Sequence, residues 1–184
     1  MLNNTIRADL LRYTGETPSG KFIPSLLIPG FRYTFFLRKS HQFSKASILG
    51  LLYRTLLHID AHFYGFQIPP STQIGKGLYI GHWGTIVVNG KTIIGEYCNL
   101  SPGVTIGQTN RGKNKGAPTI GNRVWIGTNA VIVGNISIGD NVMIAPNAFV
   151  NFSVPSNSVV IGNPASILTR QDATVGYINY TSTD

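Results

Sequence analysis

An aliphatic residue returns with a six-residue spacing through the second half of the chain. The series is Ile74, Ile80, Ile86, Ile94, Leu100, Ile106, Ile120, Ile126, Ile132, Ile138, Ile144 and Val150. Glycine follows many of them, as Gly75, Gly81, Gly95, Gly107, Gly121, Gly127 and Gly139. A six-residue period fits neither a 3.6-residue helix nor a two-residue strand. It is the pattern of hexapeptide repeats in a parallel β-helix. Three hexapeptides make one triangular coil, each giving a short strand and a tight corner. The aliphatic side chain fills the thin interior. Cys98, Val104, Val124, Ala130, Val142 and Ala148, two positions earlier, fit beside it. Cys98 therefore reads as a small hydrophobe and not a nucleophile. Glycine and asparagine supply the backbone conformations that corners need. Asn89, Asn99, Asn122, Asn129, Asn135, Asn141 and Asn147 are assigned that role.

The register breaks twice. Two residues are inserted around Asn89-Gly90-Lys91, and eight more within QTNRGKNKGAPT at 108–119. A solenoid tolerates insertions at corners, where they commonly build a binding face. The second insertion is polar, glycine-rich and basic.

Residues 1–66 lack the period and read as a helical region with breaks at Pro24, Pro29 and Gly30. Ile6, Leu10 and Leu11 mark one helix. Leu49, Leu52, Tyr53, Leu56 and Leu57 mark another, capped by Ser44 or Ser47 and ended by Gly65. Between them, FRYTFFLRK at 31–39 suits either helix packing or an anionic membrane surface. Packing is the favoured reading, because buried helices need the same aromatics. Residues 67–168 form the β-helix, and 169–184 a polar tail, loose at its end.

The chain is 12% charged and 42% hydrophobic, so much of its surface is neutral polar or hidden in subunit contacts. The net charge of +8 attracts anionic ligands. The basic residues are scattered and no nucleic-acid motif is present, which points away from DNA and RNA. Cys98 is the only cysteine, so an intrachain disulfide is excluded and a reducing cytoplasm is expected. Met1–Asp9 lacks the apolar core of a secretory leader. No apolar run approaches the ~18 residues of a membrane span.

Candidate chemistry is sparse. Between 61 and 171 the acids are Glu96 and Asp140, poor material for paired-carboxylate hydrolysis. His58 and His62 are four apart, a spacing more often found on a solvated helix face than at a metal, and no metal is expected. A three-histidine zinc site cannot form within the repeats, where His82 is the single histidine. His82 follows Gly81 on an outward slot, one coil before the long loop, so that loop and imidazole can share one face. It is the repeat-region side chain suited to act as a base near neutral pH. One imidazole, exposed backbone N–H groups and a basic loop suit proton abstraction from a hydroxyl, with a second substrate that brings an activated group.

HWGTIVV at 82–88, VTIGQ at 104–108, the run from Pro118 to Val150, and GNPA at 162–165 resemble the hexapeptide acyltransferases. The nearest likeness is to serine acetyltransferases and the related colanic-acid and capsule acetyltransferases, over residues 60–168. The resemblance implies a left-handed β-helix, trimers or pairs of trimers with the site between subunits, and acetyl-CoA as donor. By it His82 is the general base, and the CoA contacts fall on Gly107, Gln108, Thr128 and Pro146. Lys113, Lys115 and Arg123 are assigned to the CoA phosphates from charge alone.

The sequence also departs from that family. Serine acetyltransferases orient the base with an aspartate where this chain has Gln67. They carry an aspartate at the position of Gly81, and an Arg-His pair where this chain has Gly116 and Ala117. A zwitterion left unpaired binds poorly. The expected acceptor is therefore a sugar hydroxyl of a surface polysaccharide precursor. L-serine is the alternative acceptor, and a non-catalytic trimeric scaffold the alternative of another class.

Overall fold

The computed structural model describes residues 3–15 and 21–181. Four helices lead: α1 (Asn4–Thr14), α2 (Phe22–Ser25), α3 (Pro29–Gln42) and α4 (Ile48–Tyr64). Their ends follow local chemistry. The Asn3 side chain accepts from the Ile6 N–H and the Ser47 hydroxyl from the Gly50 N–H, each holding an otherwise orphaned donor. Pro29 starts α3, where its missing N–H costs nothing. Gly65 ends α4 in the left-handed region, at φ 76°.

From Phe66 the chain winds as short strands on three faces. The first face holds β1 (Phe66–Gln67), β4 (Ile86–Val88), β7 (Thr105–Gly107), β10 (Val131–Val133) and β13 (Phe149–Val150). The second holds β2 (Gln73–Ile74), β5 (Ile93–Ile94), β8 (Thr119–Ile120) and β11 (Ser137–Ile138). The third holds β3 (Tyr79–Ile80), β6 (Asn99–Leu100), β9 (Val124–Ile126), β12 (Val142–Ile144) and β14 (Ser158–Ile161), closed by β15 (Ser166–Thr169). Successive strands occupy successive faces, so each coil stacks on the one before it. Pairing is parallel and in register: Ile80 on Leu100, Leu100 on Ile126, Ile126 on Ile144, Ile144 on Val160. The hexad aliphatics form columns, each buried residue contributing about 1.5–3 kcal/mol of apolar transfer. Asn129, Asn141 and Asn147 turn corners at positive φ, as expected. Asn99 does not. It lies in β6 and donates outward to the tail. Cys98 is buried with its thiol against the Gly121 carbonyl, and burial pushes its pKa to about 12.

The helices plug the open first coil. Tyr33 and Leu37 of α3 and Leu57 of α4 join the coil's apolar core. The Tyr33 hydroxyl accepts from the Ile68 N–H at 3.1 Å. Phe31, Phe35 and Leu37 are buried, so the aromatic run at 31–39 packs inward and is not free for a membrane surface. At Gly30 a Cβ would overlap the Ile80 carbonyl oxygen, so α3 meets β3 backbone to backbone. No described helix is long and apolar enough to cross a membrane.

A buried polar latch fixes the angle of this plug. Asp9 accepts from the backbone N–H groups of Gly77 at 2.8 Å and Leu78 at 3.0 Å. It also holds Arg38, with Nε 2.9 Å from Oδ2. Arg38 donates onward to the carbonyls of Ile74 and Gly75, both at 2.6 Å. Arg12 reaches the Gly77 carbonyl at 2.8 Å and Asn99 at 2.6 Å. Burial pushes the Asp9 carboxyl above the usual carboxylate range, and Arg38 with the two N–H groups pulls it back.

The tail is not loose over its described length. Past β15, antiparallel to β14, it runs back along the third face. Asn141 donates to the Gln171 carbonyl at 2.8 Å, and Tyr177 packs on Trp125 with centroids 4.9 Å apart. Asn99 donates to the Tyr177 carbonyl at 3.0 Å, and Arg12 to the Asn179 carbonyl at 2.8 Å. Partners spread over four coils hold it, a pairing no local sequence pattern announces. Residues 182–184 lie outside the described residues.

Breaking a buried ion pair from one side leaves an uncompensated charge, at a cost of about 3–5 kcal/mol. Asp9→Asn is therefore expected to lower unfolding free energy by about 3 kcal/mol in urea titration.

Candidate active site

The three faces define three corners, and the chemistry-bearing residues divide among them. The third-to-first corner carries His82, between β3 and β4, and above it Thr128 and Pro146. The first-to-second corner carries both insertions, with Gly107 and Gln108 at the root of the longer one. The second-to-third corner carries Glu96, Arg123 and Asp140.

His82 is exposed on a bend. Its corner is tight because β3 ends at Ile80 and the chain must turn before β4. Beside it α4 arrives from below. The Gly84 N–H donates to the Tyr64 carbonyl at 3.1 Å and the Ile86 N–H to the Gly65 carbonyl at 3.0 Å. A cleft of about 550 Å³ opens there, walled by His62, Phe63, Tyr64, Trp83 and Thr85. Trp83 is 68% exposed, its ring nearly parallel to Tyr64 at 21° with centroids 6.1 Å apart. Arg32 fixes Tyr64, donating to its hydroxyl at 3.0 Å while paired with Asp60 at 2.9 Å. A second cleft, of about 690 Å³, runs along α4 past His58 to Gln67 and Val87, and shares His62 and Gly65 with the first.

The long loop is built to stay outside. Thr109 and Gly116 exchange backbone hydrogen bonds of 2.9 Å, closing its neck. Asn114 accepts from the Asn135 N–H at 2.9 Å, and its side chain donates to the Asn151 carbonyl at 2.8 Å. The loop thus folds along its corner over later coils and leaves Arg111, Lys113 and Lys115 exposed. Gln108 donates to Asn110 at 2.7 Å.

These placements correct the expectation of a shared face and locate the other candidate residues. The loop and His82 do not share a face within one chain: they sit at opposite ends of the first face. At about 3.3 Å per residue that separates them by on the order of 15–20 Å. Period counting locates an insertion at a corner but does not say which of three corners it is. Gln67 pairs in register with Val87, five residues along from His82, and no hydrogen bond joins the two side chains. Arg123 lies at the second-to-third corner, apart from both groups within one chain. Thr128 and Pro146 do share the base's corner, and Lys113 and Lys115 share the loop with Gln108.

No three His, Cys, Asp or Glu side chains gather to hold a metal among the described residues. His58 and His62 are both exposed on α4. The acids are spent elsewhere: Glu96 lies 3.8 Å from Lys76, and Asp140 accepts from the Asn122 N–H at 2.6 Å. Sequence reasoning missed the cleft's helical wall, Phe63 and Tyr64. The signal was available in Gly65, which stops α4 directly against the first strand and so places its last turn below the corner of His82.

Residues 117–151 match the bacterial transferase hexapeptide (six repeats) family. The chain is 35% identical to serine acetyltransferase of Helicobacter pylori over 163 residues, covering 88% of this chain and 95% of that one. It is 33% identical to serine acetyltransferase of Synechococcus elongatus over 155 residues, 84% of this chain, and spans 63% of that enzyme's length. Among solved structures, Neisseria gonorrhoeae serine acetyltransferase in complex with serine matches with TM-score 0.71 and 30% identity, over 89% of this chain and 67% of that one. The Brucella abortus serine acetyltransferase complex with coenzyme A matches with TM-score 0.75 and 29% identity, over 92% and 68%.

The fold is thus a left-handed β-helix of hexapeptide repeats. The chain belongs to the serine acetyltransferase family. This overturns the sugar acceptor expected from the missing ionic groups at 81, 116 and 117. Those absences describe three positions, whereas the likeness to enzymes of serine spans most of the chain.

Losing one hydrogen bond at the loop is worth about 1 kcal/mol, roughly fivefold in an opening equilibrium. Asn114→Ala should therefore speed tryptic cleavage after Arg111 and Lys113 by about fivefold, with the helical circular dichroism signal unchanged.

Proposed function

We propose that this chain transfers the acetyl group of acetyl-CoA to the hydroxyl of L-serine. The observation that carries the reading is the likeness to serine acetyltransferases across both the helices and the coil. The chain spans under two thirds of one such relative, so the full activity is inferred and not inherited.

In this reading His82 accepts the serine hydroxyl proton as that oxygen attacks the thioester carbonyl. The tetrahedral oxyanion is held by backbone N–H groups at the corner. Its collapse expels the CoA thiolate, which takes the proton from the imidazolium. Transfer is direct, with no acyl-enzyme. Thr128 and Pro146 continue the base's corner and form a track for the CoA chain. Gly107, Gln108, Lys113 and Lys115 belong to the opposite corner, where the lysines attract the CoA phosphates.

One chain cannot bring those two corners together, and a trimer resolves this. The tail covers the third face. On the first face the outward positions Val87, Val131, Val133 and Phe149 carry no charge, which suits a face buried against a second copy. The loop of one copy then approaches His82 of the next. A buried single thiol and acetyl-CoA as donor fit action in the cytoplasm.

The test is thiol release from acetyl-CoA by the purified chain with L-serine. General-base assistance is worth about 10²–10⁴-fold, so His82→Ala should lower kcat by that range. Absence of serine-dependent release overturns the reading and leaves a non-catalytic scaffold. Sedimentation should give three copies of the 20.0 kDa chain or a multiple of three.

A further inference from the structure

We propose that Trp83 is the specificity-determining residue of this site, its indole face holding the ammonium group of the acceptor by cation–π attraction. The proposal rests on the serine reading above and asks how this chain meets its acceptor's positive charge.

A carboxylate is the usual partner for an ammonium, and none of the described residues offers one at the corner of His82. Glu96 and Asp140 sit at the second-to-third corner, Asp9 is locked to Arg38, and Asp60 to Arg32. Position 81 is glycine, and a Cβ there would come 2.9 Å from the Tyr79 ring. That ring is itself packed on Tyr13 with centroids 4.7 Å apart, so the space for an acidic side chain is already occupied. What the corner offers instead is aromatic surface.

Of the rings in the cleft, Tyr64 already carries the Arg32 guanidinium 5.4 Å from its centroid. Trp83 is 68% exposed, and its orientation is set by the near-parallel contact with Tyr64. Gly81 and Gly84 flank the His82-Trp83 pair and have no side chains to cover the ring. Tryptophan is the strongest of the aromatic faces for a cation, acting within about 6 Å of the ring centroid. Trp83 follows His82 directly, with Cα atoms about 3.8 Å apart, and lines the cleft beside that corner. In serine the hydroxyl and the ammonium lie on neighbouring carbons. An imidazole at hydrogen-bond distance from the first and an indole within ~6 Å of the second fit that spacing.

The experiment uses the full chain with L-serine and acetyl-CoA. Trp83→Ala should raise the serine KM about tenfold, with kcat within about twofold and the acetyl-CoA KM unchanged. Trp83→Phe, which keeps a weaker π face, should fall between the two. Inhibition by 3-hydroxypropionate, which has the hydroxyl and carboxylate but no ammonium, should be indifferent to both substitutions. A serine KM unmoved by Trp83→Ala, or raised as much by phenylalanine as by alanine, overturns the proposal alone. A wild-type chain with no serine turnover overturns the function reading and this proposal with it.

Discussion

The structure depends on an interior only one side chain deep from each face. The coil strands send aliphatic side chains inward, and these must lie on their counterparts in the next coil, as Ile80, Leu100, Ile126, Ile144 and Val160 do. A longer or polar residue in this column has no room and no partner. The corners follow from the same constraint, since the chain turns sharply wherever a strand has delivered its residue. Insertions are expelled outward because the column cannot widen, which is why the long loop closes its neck at Thr109 and Gly116 before it projects.

Function is then confined to the outside of corners. Interior residues carry no chemistry, and even Cys98 is reduced to a filler by burial. His82, the basic loop and the pair Glu96 and Asp140 fall on three separate edges. Here α4 contributes a wall to the edge of His82, and the opposite edge carries the exposed Lys113 and Lys115.

How much of this was legible in the sequence follows from range. The hexad columns, a serine cap at 44 or 47, the Gly65 stop and the outward position of His82 are local patterns and could be read directly; the structure selects Ser47. The Asp9–Arg38 latch joins residues on two helices to the backbone of a strand turn, with no periodicity to reveal it. Asn99 looked like a corner asparagine by composition, yet it faces outward from a strand to hold the tail. That Gln67 pairs beside Val87 needs the register of the coils, because sequence spacing does not convert to distance around a triangular coil. The acceptor was misjudged for another reason: absent charges at three positions say what a site lacks, while the aromatic surface at Tyr64 and Trp83 appears only once α4 is packed beneath the corner.

The returning tail changes the mechanics of the whole solenoid. A stack of coils contacts only nearest neighbours, so each end would ordinarily fray on its own. Here the segment after β15 crosses the third face and reaches Arg12 of the first helix. The two ends of a one-dimensional stack become directly linked. Opening the last coil strips partners from Trp125 and Asn99 in the middle and from α1 at the start. The molecule therefore gains the all-or-none character of a globular domain while keeping the repetitive interior of a rod.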